Sequence, residues 1–342
     1  MPLTTEIPET WRAPAARMAE RLRGLDRVLV AAHVNPDGDA LGSMSAVGWM
    51  LRALGRECVL YSPSGVPGYL SFLPLPRTLL TSLERLPFEP QGLVLLDCGE
   101  PQRLGEELAS ALHGRFAGLP GINIDHHLGS GGMGTSGNWI EPAAAATAQL
   151  VAYVCLAAGL RPEGPLGEAL ALGLVTDTGG FAHGSTTAAV FRLAALLDEH
   201  GCDIPGLREK LDSNWSPARM ALWARLMQRV ELACDGRAAL CLARLDDLRR
   251  GGALMEDLEG LVEQFRRLRG VEASALLRED APGVCKLSLR STGDTDVRSV
   301  AVQFGGGGHR NAAGGTLRME GQDALDAVRG ALCRLLRGQE RS

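Results

Sequence analysis

The chain of 342 residues carries 40 acidic and 35 basic side chains, a formal net charge of −5, and is 45% hydrophobic but only 4% aromatic. That length accommodates two domains, each with its own core. The charge and the scarcity of rings exclude a surface built to track long or duplex nucleic acid, which needs clustered cations for phosphates and platforms for bases.

In chain order, the opening MPLTTEIPETWRAPAARMAERL lacks the apolar stretch of a secretion signal. TWRAPAARMAERLRGL sets its charges opposite Ala, Met and Leu at helical spacing. RVLVAA then reads as a strand too apolar for a wet face, which favours a parallel sheet covered on both sides. LGSMSAVGWMLRALG is the next helix, closed by Gly55. ECVLYS, GLVLLDCGE and PGINIDHH supply further strands. AAAATAQLVAYVCLAAGL is long enough to suggest a membrane span, yet its Ala content, Thr147 and Gln149 make it a buried helix. EALALGLVTDTGG is read as another strand, with a helical start as the alternative. The alternation predicts an α/β fold with an N-terminal doubly wound, mainly parallel sheet.

The character changes after FRLAALLDEHGCDI. Residues 207–226 read as helical, and VELACDGRAALCLARL, VEASALLRED, GVCKLSLRS and GGTLRME as shorter strands of a mixed sheet. LMEDLEGLVEQFRRL and DALDAVRGALCRLL are amphipathic helices. The expected domains are therefore residues 1–200, a helical linker over 201–225, and a smaller α/β mixed-sheet domain over 226–342. The 8 cysteines form no CxxC pair. They are read as reduced, mostly buried thiols of a cytoplasmic protein, neither a zinc site nor a disulfide framework.

The positions of the acids carry the most information. Asp37 and Asp39 lie beyond RVLVAA, Asp97 ends LVLL, Asp125 ends GINI, and Asp177 follows LGLV. Ligands of open parallel sheets collect at the carboxyl ends of the strands, so these acids are expected to converge. One such Asp is an ordinary turn or cap residue. Acids ending four apolar runs, accompanied by His33, His126 and His127, point instead to a divalent metal site, because uncompensated carboxylates repel and raise one another's pKa. Imidazole mixed with carboxylate suits Mn²⁺ or another first-row metal better than Ca²⁺. In HVNPDGD, a turn at Gly38 would aim Asp37 and Asp39 at different ions, as two-metal phosphoryl chemistry requires.

In this order HVNPDGDALGS, LLDCG, IDHH and VTDTGGF resemble the DHH phosphoesterase superfamily, and VQFGGGGHRNAAGG resembles its companion DHHA1 domain. Within the superfamily the likeness is nearest to the short two-domain oligoribonuclease and phosphoadenosine-phosphate phosphatase type, the nanoRNases. The resemblance implies a DHH catalytic domain, a DHHA1 substrate-binding domain, an active-site cleft between them, and two divalent ions, Mn²⁺ foremost, with Mg²⁺ or Co²⁺ as alternatives. It implies that His33 and Asp37 hold one ion, that Asp97 bridges to the other, and that Asp39, His126 and Asp177 complete the coordination of that second ion. Asp125 would orient imidazoles from behind. His127 would face the substrate phosphate, a packed or capping histidine being the alternative. His113, His183 and His200 match no ligand position, and His183 is read mainly as a surface residue.

Residues 305–308 are either a glycine linker or, being flanked closely by VAVQF and HRNAAGG, part of a folded unit whose bare N–H groups form an anion nest. The resemblance implies that Gly306, Gly307 and Gly308, with His309 and Arg290, clamp the phosphate or terminal nucleotide. Asn311 would hydrogen-bond a base or cap the following segment. Arg103 matches a commonly basic position or is a surface charge, and Arg310 is read as a surface charge. Where the family usually has Ser-Thr and then Glu, this chain has Ala146, Thr147 and Gln149, which should weaken a helix-start hydrogen bond or a substrate contact.

The implied reaction is hydrolysis of short oligonucleotides to mononucleotides, and of 3′-phosphoadenosine 5′-phosphate to AMP. A cyclic-dinucleotide phosphodiesterase, a manganese pyrophosphatase, a longer single-strand exonuclease and a non-catalytic nucleotide sensor are the rivals. Expected partners are short single-stranded RNA or DNA and nucleotide bisphosphates, with no long duplex, no membrane, and a homodimer from the family likeness.

Overall fold

The computed structural model describes residues 6–339. The first five residues of the segment read as lacking a secretion signal lie outside the described residues. The chain divides into two compact units, one ending at Asn214 and one beginning at Trp215.

The first unit runs α1 (Glu9–Gly24), β1 (Val28–Ala31), α2 (Gly38–Ala53), β2 (Cys58–Tyr61), β3 (Leu79–Leu80), β4 (Gly92–Leu96), α3 (Glu106–His113), β5 (Gly121–Asp125), β6 (Gly137–Ile140), α4 (Thr147–Ala157), α5 (Gly164–Asp177), α6 (Ala188–Glu199) and α7 (Ile204–Asp212). Its strands lie in the order β3-β2-β1-β4-β5-β6, and every pairing is parallel. The apolar strands are explained by burial on both faces. Val28 and Val30 join the core formed with α1, α2, α4 and α5, while Leu29 and Ala31 join a second core with Leu104, Leu108 and Phe116. The chain order reverses between β1 and β4, and the ladder pairs Ala31 with Leu95. A crevice therefore opens at the carboxyl ends of these two strands.

One reading of this unit needs correction, and one is borne out. EALALGLVTD is helix α5 throughout, not a strand. It is buried nearly all round, so its sequence lacks the polar face that would have revealed a helical period. AAAATAQLVAYVCLAAGL contains α4, whose residues from Thr147 to Leu156 are all buried. Among the described residues no helix is long and apolar enough to cross a membrane.

The second unit contains α8 (Pro217–Met227), β7 (Glu231–Ala233), β8 (Ala238–Ala243), α9 (Leu245–Arg249), α10 (Leu261–Phe265), β9 (Ala273–Ala281), β10 (Val284–Ser291), α11 (Arg298–Gln303), β11 (Gly307–His309), β12 (Ala312–Leu317) and α12 (Gly321–Gln339). The sheet order is β11-β12-β10-β9-β8-β7. It is mixed, with β8 and β9 parallel and the other pairs antiparallel. α11 and α12 cover one face, burying Val300, Leu325, Val328, Leu332 and Leu336. α8 and α10 cover the other through Leu222, Trp223, Leu226, Leu261 and Phe265.

LMEDLEGLVEQFRRL is not one helix. A 3-10 turn, Met255–Leu258, and the short α10 are separated by Gly260, whose φ of +80° is left-handed. The reading of all cysteines as free thiols is also overturned, because Cys234 and Cys333 form a disulfide. Cys234 sits in the β7–β8 turn and Cys333 on α12, which lies across β8, so only the tertiary packing brings them together. The remaining six cysteines are free and buried.

Candidate active site

Each acid reaches the crevice by a different local device. Asp97 directly follows β4; its N–H donates to the Ile124 carbonyl at 3.0 Å and its φ of +52° is the left-handed conformation that Asp tolerates better than most residues. Asp125 ends the neighbouring β5. Asp37 and Asp39 do not lie in an extended loop turned at Gly38. Asp37 is the N-cap of α2, and its Oδ1 accepts from the N–H groups of Asp39 (3.1 Å) and Ala40 (3.0 Å). Gly38 is required for a different reason, since a Cβ there would clash with the Thr176 side chain of α5. Asp39, fully buried, accepts from the backbone N–H groups of Thr147 (2.6 Å) and Ala148 (2.8 Å), so it also caps α4 from another helix. Asp177 is the last residue of α5.

Of the groups of three that result, two hold the predicted ligands. His33, Asp37 and Asp97 offer ligand atoms within 4.8 Å of one another, as do Asp39, His126 and Asp177. His33 Nδ1 donates to the Val34 carbonyl at 2.9 Å, which leaves Nε2 facing Asp37 Oδ2 at 3.7 Å and Asp97 Oδ2 at 3.4 Å. His126 Nδ1 donates to the Ala144 carbonyl at 3.3 Å, and its Nε2 faces Asp39 Oδ2 at 3.7 Å, Asp97 Oδ1 at 3.5 Å and Asp177 Oδ2 at 3.2 Å. Asp97 thus turns one oxygen toward each group.

These separations fit a shared cation. Donors about 2.1 Å from one ion lie roughly 3–3.7 Å apart across ordinary coordination angles; all but the His126–Asp177 separation exceed the usual length of a direct N–H···O bond, about 2.7–3.2 Å. The electrostatics agree. Burial lowers the His33 pKa, yet Asp37 and Asp97 push it up to about 10. Burial also opposes protonation of His126, but Asp177, Asp97 and Asp39 hold its pKa well above the usual imidazole range. Burial together with Asp97 and Asp177 raises the Asp39 carboxyl well above its ordinary range. The cluster therefore favours positive charge at its centre, and divalent ions of a type that accepts both imidazole and carboxylate would supply it.

Asp125 and His127 form the adjoining element. Asp125 Oδ1 accepts from His127 Nδ1 at 2.7 Å and from the His127 backbone N–H at 3.1 Å. Burial pushes the Asp125 carboxyl up, but His127 outweighs it and holds the carboxyl below its usual range. The His127 side chain keeps 23% exposure against 5% for His126, so His127 is the imidazole of the pair that an incoming molecule can reach.

Thr147, noted in the sequence as a departure from the family pattern, stands beside the cluster. Its Oγ1 donates to Asp97 Oδ1 at 3.0 Å. The helix start is not weakened at this departure from the family pattern, because Asp39 accepts the first amides and Gln149 Oε1 accepts from Ala145 N–H at 2.8 Å. The signal available was position alone, a hydroxyl at the start of a buried helix. Thr147→Val, which keeps the shape and removes the donor, should lower divalent-ion affinity about tenfold without changing far-UV circular dichroism. Isothermal titration with Mn²⁺ checks this. His183 also differs from its reading as a surface residue. It is half-buried, with Nδ1 donating to the Asp177 carbonyl at 3.0 Å.

Arg103 lies on a 3-10 turn, Pro101–Leu104, and its carbonyl accepts from Val34 N–H at 2.7 Å, next to the His33 loop. In the second unit, Gly307 and Gly308 form with His309 the edge strand β11. The second half of the glycine run is thus part of the sheet, and the run is not a linker. A Cβ at Gly306 would clash with the Gly314 carbonyl, and one at Gly308 would stand 2.6 Å from the Ala312 carbonyl, whereas Gly307 is open. Arg290 Nε donates to Glu263 Oε1 at 2.6 Å. The Asn311 amide donates to Ser291 Oγ at 2.9 Å and to the Gly293 carbonyl at 3.1 Å, holding the loop after β10.

The DHH family, N-terminal domain, matches residues 27–175, and the DHHA1 domain matches residues 239–337. Over 339 residues the chain is 33% identical to the bifunctional oligoribonuclease and PAP phosphatase NrnA of Thermus thermophilus, covering 94% of this chain and 98% of that one. It is 26% identical over 333 residues to the cyclic-di-AMP phosphodiesterase GdpP of Geobacillus thermodenitrificans, covering 91% of this chain and 48% of that protein. Among solved structures, an exopolyphosphatase-related protein from Bacteroides fragilis superposes with a TM-score of 0.84 at 25% identity, covering 95% of this chain and 98% of that one. Fold and kinship together define a hydrolase of phosphoester bonds. The chain belongs to the DHH and DHHA1 phosphoesterase family.

Proposed function

We propose that this chain hydrolyses short single-stranded oligonucleotides to mononucleotides, and 3′-phosphoadenosine 5′-phosphate to AMP, with two Mn²⁺ ions held by His33, Asp37, Asp39, Asp97, His126 and Asp177. The observation that carries the reading is Asp97, whose two oxygens face separate donor groups. The end-to-end likeness to a Thermus relative named for both activities supports the substrate class. When bound, such ions lower the pKa of water toward neutrality and neutralise charge on phosphoryl oxygens.

The chain's own residues prepare the site. The Val34 and Ala144 carbonyls take the Nδ1 protons of His33 and His126, so both Nε2 lone pairs point at the cluster. Thr147 fixes the Asp97 rotamer. Asp125 accepts the Nδ1 proton of His127, which holds the ring in one orientation beside the cluster for contact with a substrate phosphate. In the second unit, Gly306, Gly307 and Gly308, with His309, are assigned to the nucleotide. Arg290 joins them by exchanging Glu263 for a phosphate, and Asn311 supports their loop. Arg103 is assigned to the substrate beside the His33 segment.

A cyclic-dinucleotide phosphodiesterase is the second reading, supported by the Geobacillus relative. A time course on a labelled pentanucleotide, run beside 3′-phosphoadenosine 5′-phosphate and cyclic-di-AMP, decides between them. The first two should be consumed, activity should disappear in EDTA, and added Mn²⁺ should restore it better than Mg²⁺. Faster turnover of cyclic-di-AMP than of the linear substrate would select the second reading, and binding without turnover would leave a sensor.

A further inference from the structure

Outside the catalytic cluster, one surface of the second unit has the composition of a ligand site. A groove of 440 Å³ is lined by Trp215, Met220, Trp223, Ala224, Met227, Gln264 and Arg267, a volume within the usual range for small-ligand sites. Its floor follows from the sequence of α8. Residues 220, 224 and 227 fall on one side of the helix, and the opposite side is buried through Leu222 and Leu226. Trp215, Met220 and Met227 remain 39%, 62% and 43% exposed, so this apolar stripe is covered by nothing within the unit.

The aromatic pair is held rigidly. Trp215 and Trp223 have ring centroids 4.3 Å apart. Trp223 Nε1 donates to the Asp257 carbonyl at 2.7 Å. The Arg219 guanidinium lies over both rings, at 4.9 and 5.1 Å from their centroids, and is itself tied to the Glu259 carbonyl at 2.6 Å. Arg219 is not part of the groove wall, so the ring surface exposed in the groove is the part it leaves open.

We infer that this groove is a second, non-catalytic site that takes one nucleotide of a single-stranded nucleic acid, its base against Trp215 and the methionines and its phosphate at Arg267. The inference rests on the oligonucleotide reading above for its ligand class. Charge favours this occupant. Of the three Arg between Ser216 and Val230, Arg229 is paired with Asp247 and Arg219 and Arg225 are tied to the Glu259 and Asp247 carbonyls, so the exposed positive charge beside the groove is that of Arg267 and Arg269, which follow α10. The side chains of Arg267 and Gln264 have no hydrogen-bond or ion-pair partner among the described residues. They stand ready for a phosphate and for a base edge. A second copy docked on the same face by two-fold symmetry would set these arginines against their own likeness, a like-charge cost that a nucleic acid turns into attraction. Base stacking on a tryptophan also tolerates any sequence, as expected of an enzyme that must accept mixed oligomers.

The test uses the full chain in EDTA, so that nothing is cleaved, with the anisotropy of a fluorescein-labelled twelve-nucleotide oligo-thymidylate as the readout. Trp215→Ala should weaken binding about tenfold. Arg267→Glu should weaken it at least tenfold and reduce the slope of log affinity against log salt by about one. Arg267 is exposed and partnerless, so its variant remains informative if Trp215→Ala fails to fold. Wild-type affinity in folded variants would overturn the inference. So would a dimer, seen by light scattering, that Trp215→Ala dissolves while oligonucleotide affinity stays unchanged. A separate assay of wild-type turnover of a dinucleotide with Mn²⁺ tests the proposed function, so each idea can fail alone.

Discussion

Asp97→Asn should lower turnover of a short RNA by at least about 10³-fold. Every other proposed ligand serves one donor group, whereas Asp97 presents Oδ2 to His33 and Oδ1 to His126. Removing its charge therefore weakens both ion sites at once, in chemistry where the ions supply the nucleophile and the charge neutralisation. The amide keeps the size of the carboxylate and can still accept from Thr147 Oγ1, so the fold should survive. Metal content by mass spectrometry and single-turnover rates are to be measured on the same preparation. Undiminished turnover with metal content unaltered would defeat the two-ion assignment.

Cys333→Ser should produce the largest change in stability. The bond it removes joins residues 99 apart in sequence and spans most of the second unit. Chain-entropy arguments put the ceiling for a loop of that size at about 4.7 kcal/mol, and typical losses at about 2–4 kcal/mol. That corresponds to a fall of roughly 8–16 °C in the melting temperature of a unit this size. α12 keeps its apolar contacts through Leu325, Val328, Leu332 and Leu336, so the variant should still fold. Calorimetry with and without dithiothreitol provides the check. Reductant should bring the wild type down to the variant and leave the variant unmoved. Equal melting of wild type under both conditions would show that the crosslink contributes nothing.

How much of this was legible in the sequence depended on the range of the interaction. The strands that lead to Asp97 and Asp125 were readable because a parallel sheet buried on both faces demands unbroken apolar runs. The gathering of acids followed from where such sheets bind ligands. α5 was misread for the same reason, since a helix buried nearly all round and a buried strand look alike over a short span. Gly38 was taken for a turn because glycine punctuates loops, whereas its role is to admit Thr176 from a helix more than a hundred residues away. Thr147 and the Cys234–Cys333 pair belong to the same class. Their partners are set by the packing of distant segments, and no local pattern encodes them.

The double duty of Asp39 has a practical consequence for anyone building inactive variants. Its carboxylate accepts from the amides at the head of α4, where a negative charge also interacts favourably with the helix dipole. An alanine there leaves two amide protons stranded in a dry interior, so lost turnover would be inseparable from structural damage. Crystallographers seeking a substrate trap are better served by silencing His127, which touches the periphery of the cluster and carries no helix on its side chain.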